Sequence, residues 1–267
     1  MRVAMFQMFS ELTNVDGNLA KIAKAAEAAA VMGADLLVTP EMSVTGYALE
    51  AATAMMAEPA DGPIATKLQA IADRFKIALV AGFAERDGDT IFNSVALSQP
   101  GKPQRVYRKC HLYGDMERVA FTPSDTGPEL FEIGGLKAAM LICYDVEFPE
   151  IVRSIGLSGA ELLIVPTALA TTPANRRIPE RILPARAMEN QLFILYTDLC
   201  GNDGVLNYEG HSVAVAPDGS FLCRAGSGEC LMFADLDPAA YDESRAELPY
   251  LRDRRPELYG AVTATKA

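Results

Sequence analysis

The apolar positions along the chain follow two alternating rhythms. RVAMFQM at 2–8 is a short apolar run of strand length. From about Asp16, Leu19, Ile22, Ala26, Ala29 and Ala30 recur at helical spacing, with Lys21, Lys24 and Glu27 on the other side. That pattern predicts an amphipathic helix, and Gly33 is its natural stop. LLVTP then reads as a strand, IATKLQAIADRF as a helix and IALVAGF as a strand. The order returns later: KAAMLICYD as a strand, PEIVRSIGLSG as a helix opened by its proline, ELLIVPT as a strand, RILPARAMENQ as a helix, LFILYTD as a strand.

GADLLVTP at 33–40 and GAELLIVP at 159–166 nearly coincide. With the matching order of elements they indicate two similar halves, each a sheet with helices on one face. TIFNSVALS (90–98) and HSVAVAPDGSFLCRA read as hairpin pieces, the second turning at Pro217-Asp218-Gly219. The expected fold class is therefore α/β, two sheets packed face to face with helices on both outer layers. No low-complexity linker divides the chain, so residues 1–267 read as one domain. The charged stretch 245–267 is expected to extend over the surface or across a partner.

Charge and composition narrow the partners. The 267 residues carry a formal net charge of -11 with a pI near 4.7, which argues against a nucleic-acid backbone as partner. No run approaches the roughly 18–20 apolar residues of a membrane helix, so no membrane association is expected. The five cysteines are an odd number, and the amino terminus lacks a basic stretch followed by an apolar core. Free thiols in a reducing cytoplasm are the expectation. No cysteine pair has C-x-x-C spacing, and His111 and His211 are the only histidines, which leaves little material for zinc or histidine chemistry.

Functional groups in such sheets gather at the carboxyl ends of strands. Three reactive types stand there: Glu41 after LLVTP, Lys109 after RVYR, and Cys143 after AAMLI. Separately they would pass for a capping acid, a surface amine and a core thiol. Together they could form one pocket.

The residues around them carry a resemblance. TPEMSVTGY (39–47), YRKCHLYGDMERVAFTPSD (107–125) and LICYDVEFPE (141–150) resemble the three signature blocks of the nitrilase superfamily of carbon–nitrogen hydrolases. The likeness extends through GFAERDGDTIFNSVAL, RAMENQLFILYTDLCG, GHSVAVAPDG and the closing RDRRPELYG. It implies a four-layer α-β-β-α sandwich with two pseudo-symmetric halves, paired into a homodimer or a larger even homo-oligomer. It also implies hydrolysis of a small-molecule amide with no cofactor and no metal. Residue by residue it assigns Cys143 as nucleophile, Glu41 as general base, Lys109 as the cation of the oxyanion site, and Glu117 as the acid that positions the lysine. Tyr144, through its backbone N–H, is placed at the oxyanion, and Tyr47, Thr167 and Ala168 around the substrate. His111, His211 and Asp145 are expected to be structural, and Cys110, Cys200, Cys223 and Cys230 inert.

Nitrilases commonly show Cys-Trp-Glu at the nucleophile, whereas this chain has Cys143-Tyr144-Asp145 and no tryptophan. Amide hydrolysis is therefore preferred over nitrile hydrolysis, with N-carbamoyl cleavage as runner-up and a non-catalytic interaction protein as the alternative of another class. One departure remains. Relatives carry asparagine where Asp198 stands, and Glu147 follows the nucleophile by four residues. Both acids are expected near the pocket, where they would favour amides bearing a free amine. The alternative for Asp198 is capping a turn or pairing with an arginine.

Overall fold

The computed structural model describes residues 1–48 and 52–263. Fourteen strands are found among them: β1 (Arg2–Gln7), β2 (Leu36–Val38), β3 (Ala78–Asp87), β4 (Thr90–Ser98), β5 (Arg105–Arg108), β6 (Phe131–Ile133), β7 (Leu136–Met140), β8 (Leu162–Thr167), β9 (Phe193–Asp198), β10 (Cys200–Asn202), β11 (Asn207–Glu209), β12 (Val213–Val215), β13 (Phe221–Arg224) and β14 (Cys230–Asp235). They build two six-stranded sheets, β14-β1-β2-β3-β4-β5 and β6-β7-β8-β9-β12-β13, plus a short ribbon of β10 and β11.

The two sheets share one plan. Each has an antiparallel edge strand, three parallel strands, then two antiparallel strands. The near-repeat in the sequence falls on β2 and β8, the middle strands of the two parallel trios. The doubled architecture expected from the sequence is thus present.

Alternation along the strands explains the layering. Val3 and Met5 of β1 and Leu36 and Val38 of β2 point into the core shared with the second sheet. Ala4, Phe6 and Leu37 point the other way, onto helices α1 (Val15–Val31) and α3 (Pro63–Phe75). A short helix, α2 (Thr53–Met56), lies between those two in the chain. The strands of the second sheet are buried on both faces, because α5 (Pro149–Leu157) and α6 (Leu183–Asn190) cover the outer one with Val152, Ile155, Leu183 and Ala187. Parallel strands buried on both faces read as continuous apolar runs, which is how LLIVPT and FILYTD look. Helix α1 is capped by the Asn14 side chain accepting from Gly17 N–H, and α3 and α5 start at prolines.

Two details depart from the sequence reading. The strand read through KAAMLICYD stops at Met140, and Cys143–Glu147 form a 3-10 turn. The helix read as RILPARAMENQ opens with a π-helical turn over Ile178–Ile182 before α6 begins. Beyond β14, α7 (Asp242–Glu247) leads into a tail tied to its own subunit where Gln191 Nε2 donates to the Arg245 and Leu248 carbonyls. No helix among the described residues is long and apolar enough to cross a membrane.

Candidate active site

The loop after β2 carries Glu41 across the neighbouring strand β3. It can do so because residue 82 is glycine: a Cβ there would lie 2.3 Å from the Met42 nitrogen and 2.8 Å from the Glu41 carbonyl carbon. Val44 N–H donates to the Gly82 carbonyl and fixes that close approach. Lys109 follows β5 directly, its N–H donating to the Asn93 carbonyl on β4. Helix α4 (Gly114–Ala120) supplies Glu117. Cys143 opens the 3-10 turn after β7 with φ of 45°, a left-handed conformation rare for a side-chain-bearing residue.

These residues meet in one buried cluster. The Lys109 ammonium donates to Glu41 Oε1 at 2.7 Å and to Glu117 Oε1 at 2.6 Å. Glu41 Oε1 also accepts from Asn93 Nδ2 at 2.6 Å, and its Oε2 accepts from the Ala168 N–H at 2.8 Å. Glu117 is held by the Tyr47 hydroxyl at 2.6 Å and the Tyr113 N–H at 2.7 Å. Lys109, Glu41 and Glu117 are at most 1 % exposed, so each charge depends on the others for its solvation.

Asp145 joins the lysine segment to the cysteine turn. Its Oδ1 accepts from the His111 N–H and Nδ1, both at 2.8 Å. Its Oδ2 accepts from the Tyr107 hydroxyl at 2.9 Å and the Ile142 N–H at 3.1 Å. The His111 ring stacks on Phe148 at 4.1 Å, which closes the same joint from the other side. Asp145 and His111 hold structure here, as expected.

The electrostatics follow from burial. Removal from water pushes the Glu41 carboxyl up to about 7, against the pull of Lys109 and with a further push from Glu117. Burial draws the Lys109 ammonium down, but Glu117 and Glu41 outweigh it and hold the amine charged. The Cys143 thiol is held well above its ordinary value, first by burial and then by Glu41, with Lys109 opposing. The thiol is therefore protonated at neutral pH, within reach of the field of the Glu41 carboxylate. Cys110, Cys200, Cys223 and Cys230 are also free thiols raised by burial, Cys200 to about 12.

Cys143 opens onto a cavity of about 240 Å³ whose walls include Tyr47, Tyr144, Glu147, Ala168 and Leu169. Thr167 and Asp198 are fully buried and lie outside that lining. The expectation that Asp198 meets substrate is corrected in favour of its capping alternative: its Oδ1 accepts from the Leu169 N–H at 2.7 Å, so it braces the wall from behind. Burial raises its carboxyl well above the ordinary range. Sequence reading missed Asn93, Gly82 and the pocket residues Met116, Asn175 and Leu206. Asn93 and Gly82 both sit inside the GFAERDGDTIFNSVAL block, the one signal that could have found them.

The carbon–nitrogen hydrolase family model matches residues 2–246, and the chain belongs to that family. It is an enzyme of the nitrilase superfamily with amidases among its relatives. A hydrolase encoded in the pqqF 5' region of Pseudomonas protegens is 43% identical over 264 residues, covering 97% of this chain and 90% of that protein. An (R)-stereoselective amidase from a Pseudomonas species is 37% identical over 234 residues, covering 86% of this chain and 82% of the other. An amidase structure from Nesterenkonia sp. AN1 superposes with a TM-score of 0.87 at 35% identity, covering 97% of this chain and 95% of that one. In that structure, of a glutamate-to-glutamine mutant, the acetamide moiety of fluoroacetamide is added covalently at the active-site cysteine.

Proposed function

We propose that the protein hydrolyses a small carboxamide to its acid and ammonia through a thioester on Cys143. The observation that carries this reading is the buried Glu41–Lys109–Glu117 cluster beside Cys143 at the wall of a small cavity. Glu41 takes the thiol proton as sulfur bonds to the amide carbon, and the carbonyl electron pair moves onto oxygen. Lys109 and the Tyr144 N–H stabilise that oxyanion. Glu41 then gives its proton to the departing nitrogen, the C–N bond breaks, and ammonia leaves the thioester behind. Water replaces it, loses a proton to Glu41 and attacks the thioester carbon. Collapse of the second tetrahedral species releases the acid and returns the proton to sulfur. Glu117 keeps Lys109 charged and aimed throughout.

A Glu41 value of about 7 suits both directions of transfer, since a base that must also act as an acid works best near the operating pH. Ammonia release from simple amides tests the reading. Cys143→Ala is expected to lose turnover while keeping its melting temperature, because it removes only one sulfur from a tightly held turn. Iodoacetamide is expected to label wild type at Cys143 ahead of the other four thiols. Amide hydrolysis persisting in Cys143→Ala overturns the covalent route.

The assembly we propose is a homodimer of one-domain subunits, located in the cytoplasm. Leu157 on α5 and Leu258, Tyr259 and Val262 on the tail are exposed apolar groups suited to a second copy. A monomer by light scattering at micromolar concentration overturns it.

A further inference from the structure

Glu147 is an acid of the pocket wall that no cation among the described residues pairs with directly. Among the described residues its carboxylate takes part in no hydrogen bond or ion pair, although the side chain is half-buried. Two cations stand near enough to pull on it, Lys109 and Arg186. Both are engaged elsewhere. Lys109 donates to Glu41 and Glu117. Arg186 donates to the backbone carbonyls of Val146 at 3.2 Å and Glu147 at 2.7 Å, and to Glu189 Oε1 at 3.1 Å. The guanidinium thus fixes the backbone of Glu147 and leaves its carboxylate free.

The rest of the cavity does not compensate. Among the described residues its lining holds no lysine, arginine or histidine. The other acid among the described lining residues, Asp115, is fully exposed and has its own partner in Arg118 at 3.4 Å. Tyr47, Met116, Tyr144, Leu169 and Leu206 give the wall its apolar character. A half-buried carboxylate without a donor is costly to keep charged, and burial does push Glu147 up to about 7. A cation entering the cavity removes that cost, whereas a second carboxylate adds to it.

We propose that the site selects short amides bearing a protonated amine at the end remote from the carbonyl, with the Glu147 carboxylate receiving the ammonium. This rests on the amidase reading above and names its substrate class. The volume of about 240 Å³ keeps the molecule short, being below the roughly 300–1,000 Å³ of drug-sized sites. An ammonium meeting a carboxylate where water is scarce makes a charge-assisted hydrogen bond, stronger than its counterpart in bulk water. The charge-reading role expected of two acids therefore falls to Glu147 alone.

The test compares kcat/KM for 4-aminobutanamide with that for pentanamide, which replaces the ammonium by a methyl group at the same chain length. The pair 3-aminopropanamide and butanamide covers a shorter reach, and the monoamide of glutaric acid supplies the anionic arm. In wild type near pH 8, the amine is expected to exceed its methyl isostere by at least about tenfold, with the anionic amide slowest. In Glu147→Gln the ratio is expected to fall to about one, whatever the absolute rate. Between about pH 8 and 6 the wild-type ratio falls as Glu147 takes a proton. The proton taken by Glu41 lowers both rates, and Glu147→Gln separates its effect on the ratio from that of Glu147; Lys109 is held charged by Glu117 and Glu41.

A second measurement needs no variant. Butylammonium is expected to protect Cys143 of wild type from iodoacetamide at lower concentration than 1-butanol. Normal turnover of neutral amides with no preference for the amine overturns the proposal and leaves the amidase reading standing. A preference that survives in Glu147→Gln removes Glu147 from the recognition. Failure to release ammonia from any amide brings down the underlying reading itself.

Discussion

Strands β2 and β8 occupy the same place in their two sheets and share almost the same sequence, yet their ends contribute differently. After β2 the chain offers a side chain, the Glu41 carboxylate. After β8 it offers a backbone group, the Ala168 N–H, and that N–H binds Glu41 Oε2 at 2.8 Å. The two repeats thus meet head to head across the site, one as charge and the other as its holder. A duplicated fold gives two equivalent positions at a strand end. One can then carry the chemistry while the other is released to support it.

Breaking the side-chain end is expected to cost most. Glu41→Gln keeps the size of the side chain but cannot take the thiol proton. Its kcat is expected to fall by roughly 10²–10⁴-fold, the range for loss of a general base. Steady-state ammonia release measures it, and a fall of only a few-fold would assign the base elsewhere.

Lys109→Ala comes next, with an expected loss of about 2.7 kcal/mol in transition-state stabilisation, or roughly 100-fold in kcat. It also leaves Glu41 and Glu117 facing each other in a site at most 1 % exposed. Breaking a buried pair by removing one partner costs about 3–5 kcal/mol, so a marked drop in melting temperature accompanies the loss. Unchanged stability would mean that one of the two acids is already neutral beside the lysine.

The acid limb of the rate profile is expected near pH 7. On the proposed route Glu41 must be ionised to act as base, and its value is raised to about 7. Below that, kcat/KM for a neutral amide falls about tenfold per pH unit, and above it the rate is level. The sign for stability is opposite. The folded state keeps a proton that the unfolded chain releases near 4.5, so the contribution of Glu41 to stability falls as pH rises from about 4.5 to 7. Activity and melting temperature recorded across that window are expected to diverge.

The backbone end is expected to be the more tolerant. Ala168→Gly keeps the N–H and removes only a methyl group. The added backbone freedom is worth about 1 kcal/mol, so kcat drops no more than about fivefold. A collapse comparable to that of Glu41→Gln would show that the Ala168 side chain, not its N–H, is what the second repeat supplies.

Glu41, Lys109 and Cys143 were legible because strand ends are marked locally, by Pro40 or by a switch from apolar to polar residues. Ala168 was placed near the substrate, but its grip on Glu41 was not legible. The contact spans 127 positions and is made by an N–H that every residue except proline carries. The early end of β7 was hidden for a related reason. The Ile142 N–H, which would continue a ladder, is taken by the Asp145 carboxylate instead. Asp198 was misplaced because β9 is buried on both faces, so alternation along the strand does not say which face meets the cavity. Glu147 needed only its short distance in sequence from Cys143 to be found.

The pairing of β14 with β1 sets an order on how the molecule can be assembled. Every strand of the second sheet lies between residues 131 and 224, whereas the first sheet needs β14, whose Asp235 pairs with Arg2. At about 5–20 residues per second on the ribosome, β1 waits roughly 10–50 s for its outer neighbour. During that time the edge of Val3, Ala4, Met5 and Phe6 is an open template for other chains. The half encoded second is therefore the first that can close, and the half encoded first is the one that needs protection from aggregation.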